Sequence, residues 1–213
     1  GLIEEWRAEQ AKGELSPRRA ELLPSIVLMK DELARTTIVP PDLLVSDRLV
    51  LERGAREIQI LHLGRGNTPG DLVLWLPGER ILASGDLVVH PVPYGFGSFP
   101  LDWIATLDRL AGFDFDLLVP GHGAVQHDAA YIRRLQALLN EVRRQVGESV
   151  SKGHDLETSR EELDLASFID EFAGDDADAR LKFDNWWTQP ISRSAWLEAS
   201  GEPIKQGAAD ETG

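Results

Sequence analysis

The run from Leu61 to His90, LHLGRGNTPGDLVLWLPGERILASGDLVVH, constrains this fold more than any other stretch of the chain. It alternates short apolar segments with Gly/Pro breaks, the pattern of strands joined by tight turns. Glu57 to Leu63 alternates polar and apolar residues with period two, the signature of a half-buried strand. His62 sits on the polar phase of that strand and reads first as a satisfied or exposed side chain, second as a ligand. Gly64 to Asp71 is a loop, because its glycines and its Pro-Gly pair cannot continue a strand. It is no phosphate cradle: such a cradle needs a helix opening behind its glycines, and here Leu72 to Leu76 is another strand. Pro77 to Arg80 then turns tightly, and Ile81 to Ser84 returns as the paired strand of a hairpin.

Gly85-Asp86 is predicted to end that strand. Phe113 to Pro120 supplies a second buried strand, after which Gly121-His122-Gly123 turns sharply. Asp86 and His122 therefore stand just past two apolar strands, each flanked by glycine. Zinc accepts carboxylate and imidazole ligands, and a catalytic zinc keeps a position open for water, so two strand-end ligands converging from separate strands are sensible geometry for a metal site. The loop from Val88 to Gly97, rich in Pro and Gly and carrying Tyr94, is expected to wall the site.

The flanking segments read as helices. One covers Leu2 to Ala11; a second begins at Ser16-Pro17, an N-cap followed by proline in a first turn. Pro100 to Leu110 is amphipathic, and Asp128 caps a long helix reaching Val150, with Tyr131, Leu135, Leu138, Val142 and Val146 on one face. Further helices are expected over Ser159 to Phe172 and Asp176 to Phe183, with Asp175, Asp176 and Asp178 at the N-terminus of the latter complementing its dipole. Trp186, Trp187 and Trp196 read as anchors that dock this tail rather than as a ligand platform. The expected organisation is a helical segment over residues 1–35, an α/β domain over 36–150, a helical and aromatic tail over 151–205, and a disordered end over 206–213.

A formal net charge of −14 repels phosphate backbones, so nucleic acid is excluded as a partner. The absence of cysteine excludes disulfides, thiol catalysis and thiolate metal sites, and leaves the compartment undecided. No apolar run approaches a membrane span, and the first residues lack the layout of a targeting segment. The chain begins with Gly1 rather than Met, which points to a processed or cut N-terminus.

Taken in order, G-R-G-N-T-P-G-D over 64–71, strand, turn, strand, Gly85-Asp86-Leu87, amphipathic helix, strand and Pro120-Gly121-His122-Gly123 resemble the C-terminal half of the metallo-β-lactamase-fold hydrolase superfamily, from Ile58 to about Val125. The resemblance implies an αββα sandwich, of which this chain carries the second half plus a helical tail. It further implies a metal-bridging carboxylate at Asp86, a histidine ligand at His122, a structural role for Asp71 in its loop, and zinc as cofactor. The function it implies is hydrolysis of an ester- or amide-type small-molecule substrate by a metal-bound hydroxide. Two departures stand against it. Asn67 occupies a position where most members carry histidine, and an amide is a poor zinc ligand. The His-x-His-x-Asp-His motif of the N-terminal half is missing, since the five histidines, at 62, 90, 122, 127 and 154, include no such spacing.

Two matched ligands fall short of the three that a catalytic zinc needs. His90 and His127, on loops near Asp86 and His122, are the candidates to approach the site, with Asn67 and Tyr94 as further pocket residues. A lone second half also exposes an apolar sheet face through Ile58, Ile60, Leu72, Leu74, Ile81 and Leu117. The expectation is a fragment completed by an N-terminal half, or a subunit that forms a homo-oligomer. The alternative function is a metal-poor remnant or binding subunit that keeps the scaffold without catalysis.

Overall fold

The computed structural model describes residues 1–37 and 39–204, and the disordered end expected over 206–213 lies outside them. The chain divides into two compact units, one from Gly1 to Leu44 and one from Val45 onward.

The first unit is a pair of helices, α1 (Leu2–Lys12) and α2 (Pro17–Leu33). Gly13, in the left-handed conformation at φ 74°, closes α1, and Ser16 accepts a hydrogen bond from the Arg19 amide to open α2 with Pro17 in its first turn. Ile3, Trp6 and Leu23 form its small core. Pro24 lies inside α2 without ending it.

The second unit is built on one five-stranded sheet, ordered β1 (Arg48–Arg53), β2 (Arg56–Leu61), β3 (Val73–Leu76), β4 (Ile81–Val89) and β5 (Leu117–His122). The first four strands form an antiparallel meander, and β5 joins β4 in parallel after the crossover helix α3 (Pro100–Ala111). Gly54, at φ 65°, makes the β1–β2 turn. Long α4 (Ala130–Ser151) follows, and then the tail: α5 (Leu156–Glu161), α6 (Ala166–Ala173), α7 (Ala177–Lys182), a π-helical turn (Phe183–Thr188) and α8 (Gln189–Ser200). Among the described residues no helix is long and apolar enough to cross a membrane.

Register decides which side of the sheet is core. Leu61 pairs with Val73, and Trp75 pairs with Leu82, which pairs in turn with Leu118. These side chains join Trp103, Leu107 and Leu110 of α3 and Leu135, Leu138, Leu139 and Val142 of α4 in one continuous core. The opposite face runs Leu49, Ile60, Leu74, Ala83, Val119 by the same pairings, with Leu51, Ile58, Leu76, Ile81 and Leu117 beside them. It is as apolar as the first, yet none of it belongs to the core, and Leu74 and Val119 are 41% and 38% exposed. The architecture is therefore mixed α/β with helices packed on one face of the sheet, a half-sandwich.

Two sequence expectations change. β4 runs five residues past Ser84, so Asp86 lies within the strand rather than after it, where the β4–β5 register shifts between Ala83, Gly85 and Val89. Within the helical and aromatic tail, the sequence reading assigns no helix to residues 189–200, where α8 forms with Pro190 in its first turn, a position at which its missing N–H costs nothing.

Candidate metal centre

Asp86 lies at the irregularity in β4, and His122 is the last residue of β5. Parallel pairing of these strands brings the two side chains together: His122 Nε2 lies 3.6 Å from Asp86 Oδ1, with both side chains substantially exposed. The glycines of the P-G-H-G turn have a steric reason. A Cβ on Gly121 would overlap Asp86 Oδ1 and press on the Gly85 and Asp86 backbone, and one on Gly123 would overlap the His90 carbonyl at a φ of +87° that only glycine adopts without strain. The His90 amide also donates to the His122 carbonyl at 3.1 Å, so the two loops are clamped backbone to backbone.

The loop from Gly64 to Asp71 is held by its own polar groups. Asp71 accepts from the Thr68 amide at 2.9 Å and the Thr68 hydroxyl at 2.7 Å. Burial pushes the Asp71 carboxyl above its ordinary value, against the lowering effect of those bonds, and the nearby Asp86 charge adds to the rise. Gly66 is required because a Cβ there would overlap Leu87 and crowd Trp103 and Asp71. Asn67 is 6% exposed, enclosed in this loop, and His62 Nε2 lies 3.2 Å from the Pro69 carbonyl of the same loop.

The remaining candidates separate. His90 lines a cleft next to His122, its ring edge-on to Tyr131 at 5.0 Å; burial and the neighbouring Arg134 lower its pKa. Tyr131 Oη holds the entry to this loop, within 2.5 Å of the Val89 carbonyl and 2.9 Å of the Pro91 carbonyl. Tyr94 lies 5.1 Å from the His122 ring and lines the same cleft. Asn67 does not line it, and His127 is exposed in the bend before α4 and outside it. The opposite wall was not anticipated: Asp176, Asp178, Ala179, Lys182 and Trp186 come from the C-terminal segment. The signal available in the sequence was the Trp186-Trp187 doublet, in which one tryptophan suffices as an anchor.

Two tetrahedral zinc ligands at roughly 2.0–2.2 Å from the ion stand about 3.3–3.5 Å apart, so the Asp86–His122 spacing of 3.6 Å suits two ligands of one cation. Among the described residues, however, no group of three or more His, Asp or Glu side chains is placed to hold a metal. The pair fits two positions of a zinc site, and the three protein ligands of a catalytic zinc are not assembled here.

Known proteins with similar sequences are hydrolases and related enzymes. A linear primary-alkylsulfatase from Pseudomonas sp. is 32% identical over 99 residues, covering 43% of this chain and 18% of the relative. A type 2 metallo-beta-lactamase from Bacillus cereus is 28% identical over 94 residues, covering 41% of this chain and 37% of the relative. The chain thus spans well under two thirds of the length of these relatives. The solved structure of a stereoselective inverting sec-alkylsulfatase from Pseudomonas sp. aligns with 76% of this chain and 27% of its own at a TM-score of 0.56 and 14% identity, a likeness of fold. Residues 3–122 match the sequence profile of the metallo-beta-lactamase superfamily, and with more than half of its length so matched the chain belongs to that superfamily.

Proposed function

We propose that this chain is the C-terminal part of a metal-dependent hydrolase, in which Asp86 and His122 hold zinc jointly with ligands carried on a separate N-terminal half. The observation that supports this reading is the 3.6 Å approach of Asp86 Oδ1, inside β4, to His122 Nε2, at the end of the neighbouring β5. Zinc held there would supply Lewis acidity and a bound water with its pKa lowered to about 7, suited to an ester- or amide-type small-molecule substrate. The chain's own contribution is to present the two donors at fixed spacing, clamp their loops through Gly121 and Gly123, and form the cleft beside them. The apolar outer face of the sheet supports the same reading, because the half that brings the missing ligands would also bury it.

A second reading, a metal-poor scaffold that binds without catalysis, is favoured by the buried amide of Asn67 and by the two-ligand count. Zinc titration of the purified chain against a chromophoric chelator separates the two. The hydrolase reading expects a single weak zinc site per chain that Asp86→Ala and His122→Ala each abolish. No zinc uptake by the wild-type chain above neutral pH would establish the scaffold reading instead.

A further inference from the structure

The cleft beside His122 has a volume of about 260 Å³ and two walls of different origin: His90, Tyr94 and His122 on one side, and Ala179, Lys182 and Trp186 of the C-terminal segment on the other. The charges on its rim are already engaged. Lys182 Nζ pairs with Asp178 Oδ2 at 2.6 Å, and Asp176 Oδ1 caps α7 by accepting from the Asp178 and Ala179 amides. Lys182 Nζ also lies 5.5 Å from the centroid of the Trp186 ring, so the rings that line the cleft, not its charges, are left to meet a ligand. Tyr94 stands 5.1 Å from the His122 ring and 5.2 Å, edge-on, from Trp186, so the three rings adjoin one another along the cleft.

This arrangement of rings is preformed. The Gly95 amide donates to the Trp186 carbonyl at 2.7 Å, which ties the Tyr94 loop to the π-helical turn. A Cβ at Gly95 would come within 3.1 Å of Ile191 Cβ and 3.3 Å of the Trp187 carbonyl, so loop and tail are in close contact there. Within the π-helical turn the adjacent tryptophans divide their work: Trp187 is 0% exposed against Trp103, while Trp186 is half-buried on the cleft wall. Single π-turns of this kind recur at functional sites. A buried cavity of about 150 Å³ takes one benzene, so 260 Å³ has room for one substituted ring.

We propose that Trp186 and Tyr94 form an aromatic slot that binds a flat, uncharged ring of the substrate beside His122, making the C-terminal segment the specificity wall of the site. That the ring belongs to a substrate rests on the hydrolase reading; that the slot binds a ring does not. The test is calorimetric or NMR titration of the full chain, in the presence of a metal chelator, with 4-nitrobenzyl alcohol as probe and cyclohexylmethanol as its saturated counterpart. The slot predicts saturable binding of the aromatic probe in preference to the saturated one. It predicts weakening by about tenfold in Trp186→Ala and in Tyr94→Ala, the loss of one aromatic contact, and near-retention in Trp186→Phe, with circular dichroism confirming the fold of each. Absence of saturable binding, or equal affinity in wild type and Trp186→Ala, overturns the proposal. Ring binding without zinc uptake in the parallel titration upholds the slot and removes the hydrolase reading; zinc uptake without ring binding does the reverse.

Discussion

At Gly123 a single hydrogen-for-methyl exchange has two consequences at once. The backbone is at φ +87° and the space where a Cβ would go is filled by the His90 carbonyl. Gly123→Ala is expected to cost at least ~2 kcal/mol, since strained backbone and overpacking add, and to weaken zinc uptake by displacing His122; urea unfolding with an unchanged m-value measures the first. Asp71 makes a different kind of prediction. Its folded pKa is raised by burial above the unfolded value of 3.8, so its contribution to stability is complete below that value and is lost as pH rises through the folded one. Asp71→Asn removes this titration. The stability of wild type relative to the variant should therefore fall as pH rises above about 4, and a difference that instead grows with pH would show that the Thr68 hydrogen bonds, not burial, control the carboxyl. Much of this was legible in the residues themselves. The glycines of G-R-G-N-T-P-G-D and P-G-H-G announced tight backbone, and the order of Asp86 and His122 after two apolar segments anticipated their meeting. What they meet against was not legible: which atoms a glycine must avoid depends on Leu87, Trp103 and His90, brought there by other elements.

Helix α8 shows how an element remote in sequence caps another. Phe99, at the N-cap position of α3, offers no side-chain cap, and the Leu101 amide instead donates to the Glu198 carboxylate of α8 at 3.1 and 3.3 Å, with Arg143 of α4 3.3 Å away. Burial raises the Glu198 carboxyl above its ordinary value, while the helix N-terminus and Arg143 favour the charged form. Glu198→Ala leaves the first turn of α3 and the Arg143 guanidinium without their acceptor. It is expected to lower stability by about 1–3 kcal/mol, with Glu198→Gln recovering part, as read by thermal or urea unfolding; a neutral Glu198→Ala would mean that water replaces the cap at no cost. Helices α3 and α4 were readable from their apolar periodicity. Helix α8 was not, because its buried face is Ile191, Ser192, Ser194 and Ala195, too small and polar to stand out as an apolar stripe, and its cap function appears only in the folded chain.

On the scale of the molecule, the sheet has two apolar faces and the core of the second unit uses one. The face of Leu49, Leu51, Ile58, Ile60, Leu74, Ile81, Leu117 and Val119 is built from residues that favour strands for the same reason they favour burial, so the alternation expected of a half-solvated sheet is lost in β3 and β4. Exposed apolar surface favours association, and we propose that this face meets a second copy or the N-terminal half proposed to carry the missing ligands. The isolated chain is therefore expected to scatter light as a species heavier than its 23.6 kDa, with the mass falling toward that of one chain when Leu74, 41% exposed at the centre of this face, is replaced by Lys. Because Leu74 is outside the core, Leu74→Lys should leave the unfolding of a dilute sample nearly unchanged. A wild-type chain that remains monomeric across a wide concentration range would sink the association argument. It would leave the Asp86–His122 pair intact and move the search for the missing ligands away from a partner that covers this face.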